Sequence, residues 1–185
     1  MKKKKLMVCF LPANSALLQK SWLNTAAARM APSSDRADPM VHVELFFPQY
    51  EMGDNVGGDS CSIHYGGKVF LANKNFSRKE WLFRSFSCTP EQYDKAREFC
   101  TAQKGGKFNY FGYFAPCGIG SNTSTPRLKK RSWYCSELVN SALVHAGLTR
   151  LNPDAFTHPD ILFEHVVGDT YADCGRNINF GKIAI

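Results

Sequence analysis

Starting at Cys135, the chain sets Leu138, Val139, Ala142, Leu143 and Ala146 at offsets of 3, 4, 7, 8 and 11 residues. An α-helix gathers such positions onto a single face, so this spacing predicts a helix whose apolar stripe includes the thiol. Ser132 is the expected N-cap and Gly147 the expected C′ residue, which bounds a helix of roughly three turns. Most cysteines on such a stripe are small core residues. Two features favour chemistry for this one. It opens the helix, and it follows the basic run Arg127-Leu128-Lys129-Lys130-Arg131. Helix N-termini and nearby cations both stabilise a thiolate.

Upstream, Val41-His42-Val43-Glu44-Leu45-Phe46-Phe47 is rich in β-branched and aromatic residues and reads as a strand. Alternation places His42, Glu44 and Phe46 on one face and Val43, Leu45 and Phe47 on the other. A second strand, Cys61 to Tyr65, is expected to turn through Gly66-Gly67 into Lys68 to Leu71, with Ser62 and His64 sharing a face. A sheet with a polar stripe facing a cysteine at a helix N-terminus is the geometry of Cys–His catalysis. Elsewhere, Leu6 to Leu11 predicts an initial strand. Thr89-Pro90 starts a helix that Gly105-Gly106 stops, with Tyr93, Ala96, Phe99 and Cys100 as its packing stripe. Ala26 to Pro39, Gly53 to Asp59 and Gly118 to Pro126 read as connections. The aromatic segment Phe108 to Phe114 is core or the lining of an apolar groove. Thr157 to His165 reads as a short helix with Pro159 at N1, and His158 and His165 as surface or capping residues.

The order of these pieces resembles the circularly permuted branch of the NlpC-type papain-like hydrolases: a histidine on a strand, a polar residue on the next, then Tyr134-Cys135-Ser136-Glu137-Leu138-Val139 opening a helix. That branch includes YiiX-like proteins, a poxvirus member and the lecithin:retinol acyltransferase group. Val8 to Pro12 with a helix from Ser15 to Ala27, His42-Val43-Glu44, and Gly106-Lys107-Phe108-Asn109 extend the similarity. The resemblance implies one α+β domain over residues 1–185: a small antiparallel sheet packed on helices in a circularly permuted papain-like fold. It implies Cys135 as nucleophile, His42 as general base and the Cys135 backbone N–H at the developing oxyanion. The reaction implied is acyl transfer through a thioester, from an amide, peptide or ester in a peptide, protein or lipid, to water or another acceptor. Relatives place a polar residue on the following strand to orient the imidazole. Here Ser60, Ser62 and His64 qualify, and His64 is preferred. Side chains at i and i+2 of a strand stand about 7 Å apart, so Glu44 is expected to have a structural or substrate-facing role rather than a bond to His42. Tyr134, Lys130 and Arg131 are the remaining substrate-contact candidates. No metal or organic cofactor is required.

The 185 residues, 44% hydrophobic, supply enough apolar material for one globular core. Seven cysteines with no C-x-x-C pair argue against a disulfide framework or a structural zinc site and fit a reducing, intracellular compartment. The start, Met1 to Ala13, imitates a signal peptide, but its apolar run ends at Leu11 and is read as a strand. No stretch reaches the ~20 apolar residues of a membrane span, so membrane contact would be peripheral. The net charge of +7 comes largely from Lys2 to Lys5 and Arg127 to Arg131. Such clusters favour an anionic surface or an acidic peptide, with nucleic acid the weaker expectation. Two other classes compete with the enzyme: a catalytically silent binding or structural protein of the same fold, conceivably viral, and a basic surface module.

Overall fold

A run such as Leu6–Leu11, apolar at every position, suits a strand buried on both faces. In the computed structural model of the protein, which describes residues 3–19, 38–110, 132–149, 158–166 and 170–172, this run lies within β1 (Lys4–Pro12). Residues Leu6 to Phe10 are fully buried. The other strands of its sheet are β2 (Met40–Met52), β3 (Asn55–Ser62), β4 (Phe70–Ser77), β5 (Leu82–Cys88) and the short edge strand β8 (Thr170–Ala172). They pair antiparallel throughout, in the order β4-β3-β2-β1-β5-β8. Four helices are described: α1 (Ala16–Gln19), α2 (Pro90–Gln103), α3 (Cys135–His145) and α4 (Pro159–His165). A two-residue parallel ladder joins β6 (Lys107–Phe108) to β7 (Ser132–Trp133). The chain is thus mixed α+β around an antiparallel sheet. Among the described residues no helix is long and apolar enough to cross a membrane.

The period-two alternation of β2 divides the interior. Val43, Leu45 and Phe47 join the larger core, with Ala96 and Phe99 of α2, Leu138, Val139 and Ala142 of α3, and Phe163 of α4. Phe46 points the other way, into a smaller cluster with Met7, Cys9, Val56, Phe76 and Trp81. Helices α2, α3 and α4 therefore cover one face of the sheet, while Leu18 of α1 packs on the opposite one, to which the polar residues of β2 belong.

Local sequence explains most element ends. Thr89 forms a capping box with Gln92, Pro90 occupies the first turn, and Gly105 at φ +84° ends the helix region. Gly147 at φ +67° follows α3 as expected. Other expectations are corrected. Gly53 to Asp59 is a connection only as far as a turn, because β3 begins at Asn55. Its glycines admit close neighbours at a bulge between Pro48 and Tyr50: a Cβ on Gly57 would overlap the Tyr50 ring, and one on Gly58 would press on the Phe47 carbonyl. The strands flanking Gly66-Gly67 stop at Ser62 and resume at Phe70. Ser132 is not the cap of α3. It lies in β7, and Tyr134 takes the N-cap position without a capping hydrogen bond from its side chain.

His158 takes the N-cap position of α4, as one of the two expectations had it, but it is buried there with neither ring nitrogen hydrogen-bonded, and burial lowers its pKa from 6.5 to about 4. His165 is exposed and bonds the Ile161 carbonyl through Nδ1 at 2.8 Å. Lys4 and Lys5 are not a loose basic tail: they belong to β1 and pair with Asp94 at 3.0 Å and Glu51 at 2.7 Å. The helix extension to Ala27, most of Ala26 to Pro39, Phe111 to Phe114, Gly118 to Pro126 and the run Arg127 to Arg131 lie outside the described residues.

Candidate active site

Cys135 is set in place by what precedes it. Phe108 pairs with Trp133 across the β6–β7 ladder, and the Asn109 N–H donates to the Trp133 carbonyl at 2.9 Å. The Trp133 indole N–H donates to Gln103 Oε1 at 3.2 Å, and its ring meets Phe99 edge-on at 5.8 Å. With Trp133 fully buried and Tyr134 extended, the next residue must start the helix. The stripe from Cys135 through Ala146 is buried as the spacing predicts. The body of α3 packs on the Val43/Leu45/Phe47 face, yet its first residue meets His42, which projects from the other. They meet where β2 begins, at the end of the sheet at which His42 pairs with Leu11 beside a register shift at Pro12. That strand start is anchored by the Met40 N–H, which donates to Asp160 Oδ1 at 3.0 Å.

Behind His42 stands a buried carboxylate. His42 Nε2 lies 3.3 Å from Glu44 Oε1. Glu44 Oε2 accepts from the Ser60 hydroxyl at 2.6 Å, and Lys74 Nζ donates to both oxygens at 2.9 and 3.1 Å. Burial alone would lower the pKa of His42. The hydrogen bond and charge of Cys135, followed by those of Glu44, outweigh it and raise the ring from 6.5 to about 9. Burial alone would likewise raise Glu44, whose side chain is 1% exposed. Its contact with His42, the Lys74 charge and the Ser60 hydrogen bond instead bring it from 4.5 to about 2.

These positions differ from the sequence expectations in two respects. Glu44, expected to stand apart from His42, reaches it: the long carboxylate arm bends back along the shared face, and Ser60 and Lys74 fix it there. His64, expected to orient the imidazole, stacks on it instead, with ring centroids 5.2 Å apart and planes 25° from parallel. Phe70 stacks on His64 at 4.9 Å. Although His64 keeps an exposed edge, its partial loss of water and the His42 charge lower its pKa from 6.5 to about 4. Ser62 is occupied elsewhere, donating to the Val43 carbonyl at 2.7 Å.

Cys135, His42, Glu44, His64 and Lys74 all line one cleft of about 220 Å³, walled by Leu11, Leu18, Val41, Ile63, Trp81 and Phe108. A few polar groups converging in an apolar cleft is the usual composition of a ligand site. Tyr134, expected to contact substrate, is buried in the larger core instead. Lys130 and Arg131 lie outside the described residues. Sequence reading missed Lys74 and Trp81. The signal for Lys74 was slight: it shares a face of β4 with the buried Phe76, an unusual place for a lysine without a partner. The other described cysteines, Cys9, Cys61, Cys88 and Cys100, are buried thiols that form no disulfide with one another. Burial raises Cys9 and Cys100 well above the ordinary thiol range, helped by the Glu44 charge at Cys9 and by Cys61 at Cys100.

No family model, curated protein or solved structure matches the chain.

Proposed function

We propose that the chain is a thiol hydrolase or acyltransferase of the permuted papain-like kind, with Cys135 as nucleophile and His42 as general base. The observation that carries this reading is the convergence of Cys135, His42 and Glu44 on one cleft, with Glu44 Oε1 3.3 Å from His42 Nε2. With Nε2 turned to Glu44, Nδ1 is the ring nitrogen that serves the sulfur. His42 takes the thiol proton, the sulfur attacks the acyl carbon, and the Cys135 backbone N–H at the helix start holds the oxyanion. Collapse expels the amine or alcohol, which takes its proton from His42, and leaves a thioester. Water or another acceptor, deprotonated by His42, then releases the acyl group and the free thiol. Glu44 keeps the imidazole oriented and stabilises its charged form. Peptides, proteins and lipid esters are the substrate class, and the cysteine pattern of the sequence fits a reducing compartment.

Labelling with iodoacetamide near neutral pH tests the reading. Cys135 is expected to react ahead of the other thiols, and His42→Ala to slow it by about 10²-fold or more. Even labelling of several cysteines, or a Cys135 rate indifferent to His42, contradicts it.

A further inference from the structure

Glu44 is an almost fully buried carboxylate, and burying an ionised carboxyl is costly unless it is paired and hydrogen-bonded. His42 alone cannot meet that cost. It approaches one oxygen only, at 3.3 Å. Lys74 comes from β4, two strands away in the sheet order, and closes on both oxygens at the shorter distances of 2.9 and 3.1 Å. The ammonium lies 4.3 Å from the centre of the Phe70 ring, and its side chain is 30% exposed. Two of its three protons point to Glu44 and an aromatic face lies beside it, so it is committed to the carboxylate rather than offered to a substrate anion.

We infer that Lys74 is a positioning residue of this site, holding the Glu44 carboxylate in the geometry that directs it at His42. The inference rests on the catalytic reading for its importance, but its physical content concerns Glu44 alone. Ser60 supplies one further hydrogen bond to Oε2, without charge. The titratable groups facing Glu44 are His42 on its own strand, Cys9 opposite it on β1, Lys74 on β4, and His64 beyond the end of β3. Burial raises Cys9, and partial desolvation beside the His42 charge lowers His64, so both shifts favour the uncharged form near neutral pH. Among the described residues, Lys74 is thus the cation bonded to Glu44 that does not belong to the reacting pair. A lysine here leaves His42 free to lose and regain a proton during turnover while Glu44 stays ionised. In a site with only His42 and Glu44, each loss of the imidazole proton would strand a buried negative charge.

The test is the ¹³C titration of the Glu44 side-chain carboxyl in the intact chain, in wild type, Lys74→Met and Lys74→Arg, alongside iodoacetamide labelling of Cys135 across pH. Methionine keeps the stem over Phe70 and removes only the charge. In wild type Glu44 is expected to stay ionised below the ordinary carboxylate range. In Lys74→Met its midpoint should rise by about 1 pH unit or more, with the acid limb of labelling moving up with it. Lys74→Arg should restore both. A Glu44 midpoint that is the same in wild type and Lys74→Met overturns the inference. If wild-type Cys135 is not singled out by the probe, the catalytic reading fails, and the carboxyl titration still decides the role of Lys74.

Discussion

The two faces of the sheet use the same strand differently. On the helix-covered face, β2 contributes Val43, Leu45 and Phe47 to the larger core, where aromatic contacts such as Phe10 against Phe163 at 5.0 Å fill the space and the buried Arg84 guanidinium lies 4.1 Å over the Phe163 ring. On the opposite face, the alternate positions His42 and Glu44 bring two ionisable groups into a smaller apolar cluster, held by Ser60 and Lys74. A strand's period of two lets neighbouring residues answer separately to stability and to chemistry. Cys135 is the exception that joins the two. Its helix belongs to the first face, and its sulfur meets the second at the strand end.

Substitutions should separate the faces, beginning with the largest effect. Phe10→Ala removes a fully buried ring from the helix-covered face and is expected to cost about 3–5 kcal/mol in denaturant unfolding. The folded fraction should keep its Cys135 labelling rate. An equal loss of reactivity in that fraction would mean the faces are not separable.

Glu44→Gln acts on the other side. It should cost less, about 1–3 kcal/mol, because the partly exposed Lys74 can turn to water. Its larger signature is in pH dependence. The lowered Glu44 pKa contributes stability above 4.5 that is lost as pH falls towards about 2, and the raised His42 pKa contributes stability below 6.5 that is lost as pH rises through about 9. In Glu44→Gln both the acid-side loss, to which Glu51 and Asp59 also contribute, and the alkaline-side step should shrink, as seen in unfolding free energies across pH. An unchanged alkaline step would detach Glu44 from His42.

Thr89→Ala gives the smallest change. Loss of the capping box at α2 should cost about 1 kcal/mol and leave labelling of Cys135 unaltered. Any effect of that cap on the sulfur would break the comparison from the other direction.

Much of the scaffold was legible in the sequence for local reasons. The run at Leu6–Leu11, the Thr89-Pro90 start and the stripe from Cys135 each state their own geometry, and β1, α2 and α3 follow. The site was legible only in part. Helical spacing singled out Cys135 and strand alternation His42, because both are near-neighbour patterns. The Glu44 contact was not legible, since a distance of about 7 Å along the strand says nothing of where a long side chain bends. That is decided by Ser60 and Lys74, on strands whose register the sequence does not state. His64 was misassigned for a related reason. Sharing a face with Ser62 does not fix ring orientation, and stacking between His42 and Phe70 does. Ser132 looked like a cap until its pairing with Lys107 claimed it for a strand.

The central claim is that the Cys135 sulfur and the His42 imidazole touch, and NMR titration of the His42 ring in wild type and Cys135→Ala tests it most directly. Contact predicts a midpoint of about 9 in wild type, falling clearly in Cys135→Ala as the sulfur's hydrogen bond and charge are removed. A wild-type midpoint near the ordinary 6.5, unmoved by the substitution, would contradict it.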